Sequence, residues 1–213
     1  MTELELKFSR LEGYVPSGAE LEAAFADTGL EPGPMRRRTN VDRYYDDARL
    51  SLSRVGYALR TRMADGAMLA TLKTIGTVDG ALHRRDELEL PVPDDATGAD
   101  PWPPEIADRV RMATDPRALK RTVELTTERA SFEVRHDGRI VATVAFDEVE
   151  AKLPSTERTA HWSELEIEGE DEATLHRVSA ALEGLLTLVP ASQTKLERAR
   201  AVLLLGASLD EDA

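Results

Sequence analysis

The chain has no cysteine among its 213 residues. That excludes disulfides, thiolate metal sites and cysteine nucleophiles. Aromatic residues are few, at 2 Trp, 4 Tyr and 4 Phe, which disfavours a stacking platform for single-stranded nucleic acid. Positive charge is in deficit: 27 Lys and Arg stand against 40 Asp and Glu, for a formal net charge of -13. Such a chain lacks the positive field on which general binding to nucleic acid or anionic membranes rests, so neither is expected as a partner. A small polyanion held by locally gathered cations is compatible with this balance. No apolar run approaches the roughly 18 residues that a membrane-spanning helix needs, and no basic-then-apolar leader opens the chain. A soluble, cytoplasmic protein is expected. His83, His136, His161 and His176 lie scattered without ligand-like spacing and read as surface or strand-end residues.

What is present is alternation. "VPSGAELEAAFADTGLEPGP" reads as a helix, with Ser17 and Glu20 forming a capping box and Gly29 near its end. Strand-like runs follow in "VDRYYDD", "YALRTRM", "AMLATLKTI" and "HRRDELELPV". A loop rich in Pro, Asp and Gly leads to a short amphipathic helix, "PPEIADRVRMA". Strands resume in "RTVELTTERASFEVR", "IVATVAFDEVEA" and "HWSELEIEGE". Two helices close the chain, "DEATLHRVSAALEGLLTLV" and "TKLERARAVLLLG". This predicts a single α+β domain over residues 1–206 and an acidic tail over 207–213. About eight strands, in two clusters of four, are most economically arranged as a continuous antiparallel barrel, which leaves no open sheet edge.

Side chains two apart on a strand share a face. In "MTELELKFSR" that rule puts Glu3, Glu5 and Lys7 together, opposite Leu4, Leu6 and Phe8. It also groups Arg60 with Arg62, Lys73 with Thr71, His83 with Arg85, Glu87 and Glu89, and Glu164 with Glu166 and Glu168. Asp147 falls in line with Ala145 and Thr143. One charged face is an ordinary solvated face. Across the set, however, acids dominate the first and last strands, and arginine and lysine dominate the middle ones. If helices cover the apolar faces from outside, the charged faces line a lumen. Acids on one side of it and bases on the other suit a divalent metal bound to a polyanion.

These residues occur in an order that resembles the CYTH family, the triphosphate tunnel metalloenzymes. Glu3-Leu4-Glu5-Leu6-Lys7 resembles its ExExK signature. "YYDDARLSL", "ALRTRM", "LATLKT" and "RDE" resemble successive strand motifs of the family, and Arg129, Asp147, "ELE" at 164–166 and Lys195 complete the series. Val149 stands where the family often has glycine, and Ser131 where it often has a second base.

The resemblance implies hydrolysis of a triphosphate with Mg²⁺ or Mn²⁺ as cofactor. It places Glu3, Glu5, Asp147, Glu164 and Glu166 as metal ligands. Lys7, Arg60, Arg62, Lys73, Arg85, Arg129 and Lys195 would bind substrate, with Glu5, Lys73 and Arg60 closest to catalysis. The residue types fit that chemistry: Mg²⁺ takes carboxylate and phosphate oxygens, and arginine forks match phosphate. Inorganic tripolyphosphate is the expected substrate, since an all-charged lumen suits a ligand that is all phosphate. Adenylate cyclase, thiamine or nucleoside triphosphatase, and a non-catalytic polyphosphate sensor are the alternatives. The chain is expected to be a stand-alone barrel, and the resemblance to barrel-type relatives implies a homodimer. Arg36, Arg37 and Arg38 read as a solvated loop or the guard of a tunnel mouth. Lys195 is expected to reach the lumen only if the last helix closes one end.

Overall fold

The computed structural model describes residues 2–10, 13–64, 66–74, 76–93, 102–154 and 156–210, with side chains from Leu4 to Leu203. The alternating runs become strands β1 (Thr2–Arg10), β2 (Glu31–Pro32), β3 (Arg36–Asp46), β4 (Tyr57–Ala64), β5 (Ala67–Thr74), β6 (Thr77–Asp79), β7 (Leu82–Val92), β8 (Lys120–His136), β9 (Arg139–Lys152), β10 (Thr159–Gly169) and β11 (Leu188–Pro190). The helices are α1 (Gly18–Phe25), α2 (Ser51–Arg54), α3 (Pro104–Arg111), α4 (Glu172–Glu183) and α5 (Lys195–Asp210).

Eight strands form a closed antiparallel barrel in the order β1-β10-β9-β8-β3-β4-β5-β7, and β7 pairs back onto β1. The short strands β2, β6 and β11 extend β8, β7 and β1. The division is five barrel strands before α3 and three after it, not four and four. The three late strands are long, at 17, 14 and 11 residues, so they complete the wall that the five earlier strands begin. The stretch read as the end of the fourth helix also divides: α4 stops at Glu183, Gly184 caps it, and Leu188–Pro190 is strand. Helix α5 runs through Asp210, into the segment expected to be tail.

The Ser17–Glu20 capping box is present and starts α1. Leu21 and Phe25 of α1, with Leu175, Val178 and Leu182 of α4, cover Leu4, Leu6, Phe8, Phe132, Phe146, Leu165 and Ile167. On the other side, Ile106, Ala107 and Val110 of α3 cover Leu59, Ala70 and Leu72, with Tyr45 edge-on to Trp102. The apolar strand faces therefore point outward beneath helices, and the charged faces point in.

Helix α5 departs from this scheme. Its Leu196, Ala199 and Leu203 pack on Tyr44, Val123, Leu125, Val149 and Trp162. Those residues share strand faces with Asp42, Arg129, Asp147 and Glu164, so α5 closes one end of the lumen from within. Val149 fills this contact. Tyr44 thus points in and Tyr45 out.

Because the outer clusters carry the hydrophobic stabilisation, Leu165→Ala should cost about 3 kcal/mol in urea unfolding. A loss under about 1 kcal/mol would show that this face is not core.

Candidate active site: a charged lumen

The start of α5 is fixed by a second capping box. The Glu197 amide donates to Thr194 Oγ1 at 3.2 Å, and Glu197 accepts from the Thr194 amide at 2.8 Å. This puts Lys195 in the first turn, where the helix dipole disfavours a cation. Three carboxylates compensate. Lys195 Nζ lies 2.9 Å from Asp147, 2.5 Å from Glu164 and 2.6 Å from Glu166. The far side of the helix start is held by Arg200, which pairs with Asp46 at 3.4 Å. Asp46 also accepts from the Leu52 and Ser53 amides at the start of α2.

The same carboxylates hold two further cations. Arg129 makes a two-pronged pair with Asp147 at 2.8 and 2.5 Å and reaches Glu166 at 2.5 Å. Lys7 lies 2.9 Å from Glu166 and 3.7 Å from Glu164. Burial works against each charge, and the neighbours outweigh it. Lys195 is held well above the usual lysine range by Asp147, Glu164 and Glu166. Glu166 is held well below the usual carboxylate range by Lys195, Lys7 and Arg129, and Arg129 is raised by Glu166 and Asp147.

Asp147, Glu164 and Glu166 each present an oxygen, and these lie within 4.8 Å of one another. An all-oxygen set of three carboxylates suits a hard divalent cation. Glu164 is held from two sides: its Oε2 accepts from Trp162 Nε1 at 2.8 Å, and its Oε1 faces the Lys195 and Lys7 ammonium groups. The residues fit a divalent metal.

The opposite wall carries the other cations expected from sequence. Lys73 pairs with Glu87 at 2.9 Å and Arg85 with Glu5 at 2.7 Å. Glu5 lies outside the three-carboxylate group, and the Glu3 side chain lies outside the described residues. Arg62 forks onto Asp42 at 2.6 Å through both nitrogens, and Arg60 is 3.3 Å from the same carboxylate. Asp42 is fully buried. Burial opposes its charge, but Arg60 and Arg62 lower its pKa. Sequence reasoning missed it because "TNVDRYY" alternates no charge of one kind. His83 is also not a surface residue: it is buried, with Nε2 at 2.8 Å from the Ala191 carbonyl.

Among the described residues, the lumen opens in at least two places. One opening lies beside α5 and is lined by Lys7, Lys73, Arg85, Lys195, Tyr57 and Arg200, among others. The other is lined by Arg36, Arg37, Arg38, Ser131, Glu133 and Thr143. Arg36 faces Ser131 directly across the β3–β8 ladder, and Arg38 faces Arg129. A base therefore stands directly across the ladder from Ser131.

A barrel of this topology with this lumen has counterparts. The sequence family described as CYTH domain matches residues 1–199. The chain belongs to the CYTH family. No curated protein matches it. Among solved structures it is similar to HpAC1 from Hippeastrum, described as a candidate adenylyl cyclase with a dominant triphosphatase activity. The TM-score is 0.64 at 18% identity, over 94% of this chain and 96% of that one. A candidate adenylate cyclase from Bacillus halodurans gives 0.56 at 17% identity, over 92% and 97%. Protein PH1819 from Pyrococcus horikoshii gives 0.54 at 19% identity, over 96% and 99%. Among the described residues, no helix of this CYTH protein is long and apolar enough to cross a membrane.

The pKa directions set a pH window. Glu166, lowered on folding, contributes stability above its unfolded value of about 4.3 and loses it as pH falls towards the folded value. Lys195, raised on folding, contributes below about 10.4 and loses it as pH rises towards its folded value. Glu166→Gln should destabilise the ligand-free protein on the order of 3 kcal/mol at neutral pH, and the difference should shrink in acid. Thermal melts of both proteins from pH 3 to 8 on the order of half-unit steps check this, and a difference independent of pH would contradict it.

Proposed function

We propose that this CYTH protein hydrolyses inorganic tripolyphosphate to pyrophosphate and phosphate in a metal-dependent reaction within the lumen, in the cytoplasm. The observation that carries the reading is the meeting of Asp147, Glu164 and Glu166 with a ring of lysines and arginines in one buried space. The triphosphatase activity described for HpAC1 supports it.

Phosphoryl transfer asks for positioning and charge stabilisation more than covalent help. Asp147, Glu164 and Glu166 would hold Mg²⁺ or Mn²⁺, which when bound polarises phosphate oxygens and lowers the pKa of its water. Lys73, Arg60, Arg62 and Arg85 would orient the polyanion from the opposite wall. Arg129 and Lys195 belong to both sets: they neutralise the carboxylates before substrate arrives and bind phosphate oxygens afterwards. Burial of this region excludes bulk water, which strengthens each of these contacts.

One observation favours a second reading. Tyr57, with Ala58 and Leu196, lines the opening beside α5 next to Lys73 and Lys195. A nucleobase resting there would make the substrate a nucleoside triphosphate.

Phosphate release from tripolyphosphate, ATP and thiamine triphosphate, each with Mg²⁺, Mn²⁺ or EDTA, tests the proposal. The expected result is metal-dependent release fastest from tripolyphosphate and reduced on the order of 100-fold in Glu164→Gln. Faster release from ATP, lost in Tyr57→Ala, would favour the nucleotide reading. Binding without release from any of the three would contradict both.

A further inference from the structure

One part of the lumen wall carries buried polar groups that no described residue satisfies. Asn40 on β3 and Thr127 on β8 are direct cross-strand partners, so their β-carbons stand about 5 Å apart. Asn40 shares a strand face with Asp42, and Thr127 shares one with Arg129, so both side chains belong to the lumen. They are 5% and 1% exposed, as deeply placed as the carboxylates. Among the described residues, Asn40 Nδ2 and Thr127 Oγ1 make no hydrogen bond, not even to each other.

Leaving a buried amide and hydroxyl without partners destabilises a fold, and apolar side chains of similar shape would avoid the cost. The amide nitrogen can only donate, so whatever completes it is an acceptor. The adjacent rungs locate that acceptor. On one side Arg38 stands opposite Arg129; on the other Asp42 stands opposite Leu125. Asp42 is already neutralised by Arg62 and Arg60, so an oxyanion at the Asn40–Thr127 rung has a guanidinium beside it and no unpaired carboxylate.

We propose that Asn40 and Thr127 form an uncharged phosphate subsite, donating to oxygens of one terminal phosphoryl group of the bound triphosphate. This rests on the triphosphate reading above and adds to it two residues that no charge pattern reveals. Neutral donors fix the orientation of the phosphoryl group without adding to the cationic grip of the lysines and arginines. The two orphaned groups lower the stability of the empty protein, and the ligand restores it by completing them.

The test combines thermal melts of the ligand-free protein with calorimetric titration of tripolyphosphate in EDTA, where no turnover occurs. Thr127→Val keeps the shape and removes the hydroxyl. It should leave the melting temperature equal or higher and raise the Kd for tripolyphosphate on the order of tenfold. Thr127→Ser should restore the wild-type Kd. Asn40→Asp, which keeps the shape and adds a negative charge, should raise the Kd further. A lower melting temperature in Thr127→Val with unchanged Kd would overturn the proposal and mark the pair as a water-bridged structural contact. Failure of the wild type to bind tripolyphosphate would instead overturn the triphosphate reading beneath it.

Discussion

The mutual neutralisation of Asp147, Glu164 and Glu166 by Lys7, Lys195 and Arg129 is the interaction on which the rest of this molecule depends. Taking six charged side chains out of water is costly, and ion pairs in such places often contribute less than apolar residues of equal volume would. The cluster is therefore poorly explained as a device for stability. It is well explained as a site held ready. Its cations and carboxylates are each other's partners when the lumen is empty, and a polyanion with a metal offers each set a new partner of opposite sign. With both bound, each group of the cluster would still face a partner of opposite sign.

This arrangement requires the hydrophobic stabilisation to lie elsewhere. Two apolar clusters outside the barrel wall, under α1 with α4 and under α3, supply it. The third cluster lies inside one end, where α5 packs on Leu125, Val149 and Trp162. Helix α5 has a double task in consequence. It closes the apolar end of the lumen and, through the Thr194–Glu197 capping box, places the Lys195 ammonium among the carboxylates. The pairing of Arg200 with Asp46 ties that helix to α2 and β3, so the position of Lys195 is fixed from two directions.

Most of the barrel and most of its charged lining were legible in the sequence because both follow from a period of two. Glu5, Lys7, Arg60, Arg62, Lys73, Arg85, Asp147, Glu164 and Glu166 stand on strands whose opposite faces are apolar, so the inward direction follows once helices are assigned to the outside. Groups outside such stripes were less legible. Asp42 shares its strand face with Asn40 and Tyr44, and its role depends on Arg60 and Arg62 of the neighbouring strand. His83 follows the strand face of Arg85, but its contact with the Ala191 carbonyl comes from a segment 108 residues away. Asn40 and Thr127 carry no charge, and their pairing is fixed by the register between β3 and β8. That Arg36 stands opposite Ser131 is likewise a cross-strand fact. Registers of this kind depend on residues about 90 apart in sequence.

The most direct test of the charge-exchange account is a crystal structure of the protein soaked with Mn²⁺ and tripolyphosphate, with the metal located by its anomalous scattering. Mn²⁺ should lie against Asp147, Glu164 and Glu166, with Lys195 and Arg129 turned from the carboxylates towards phosphate oxygens. Mn²⁺ bound away from these three residues, or a polyanion bound while the Lys195 and Arg129 pairs stay intact, would contradict it.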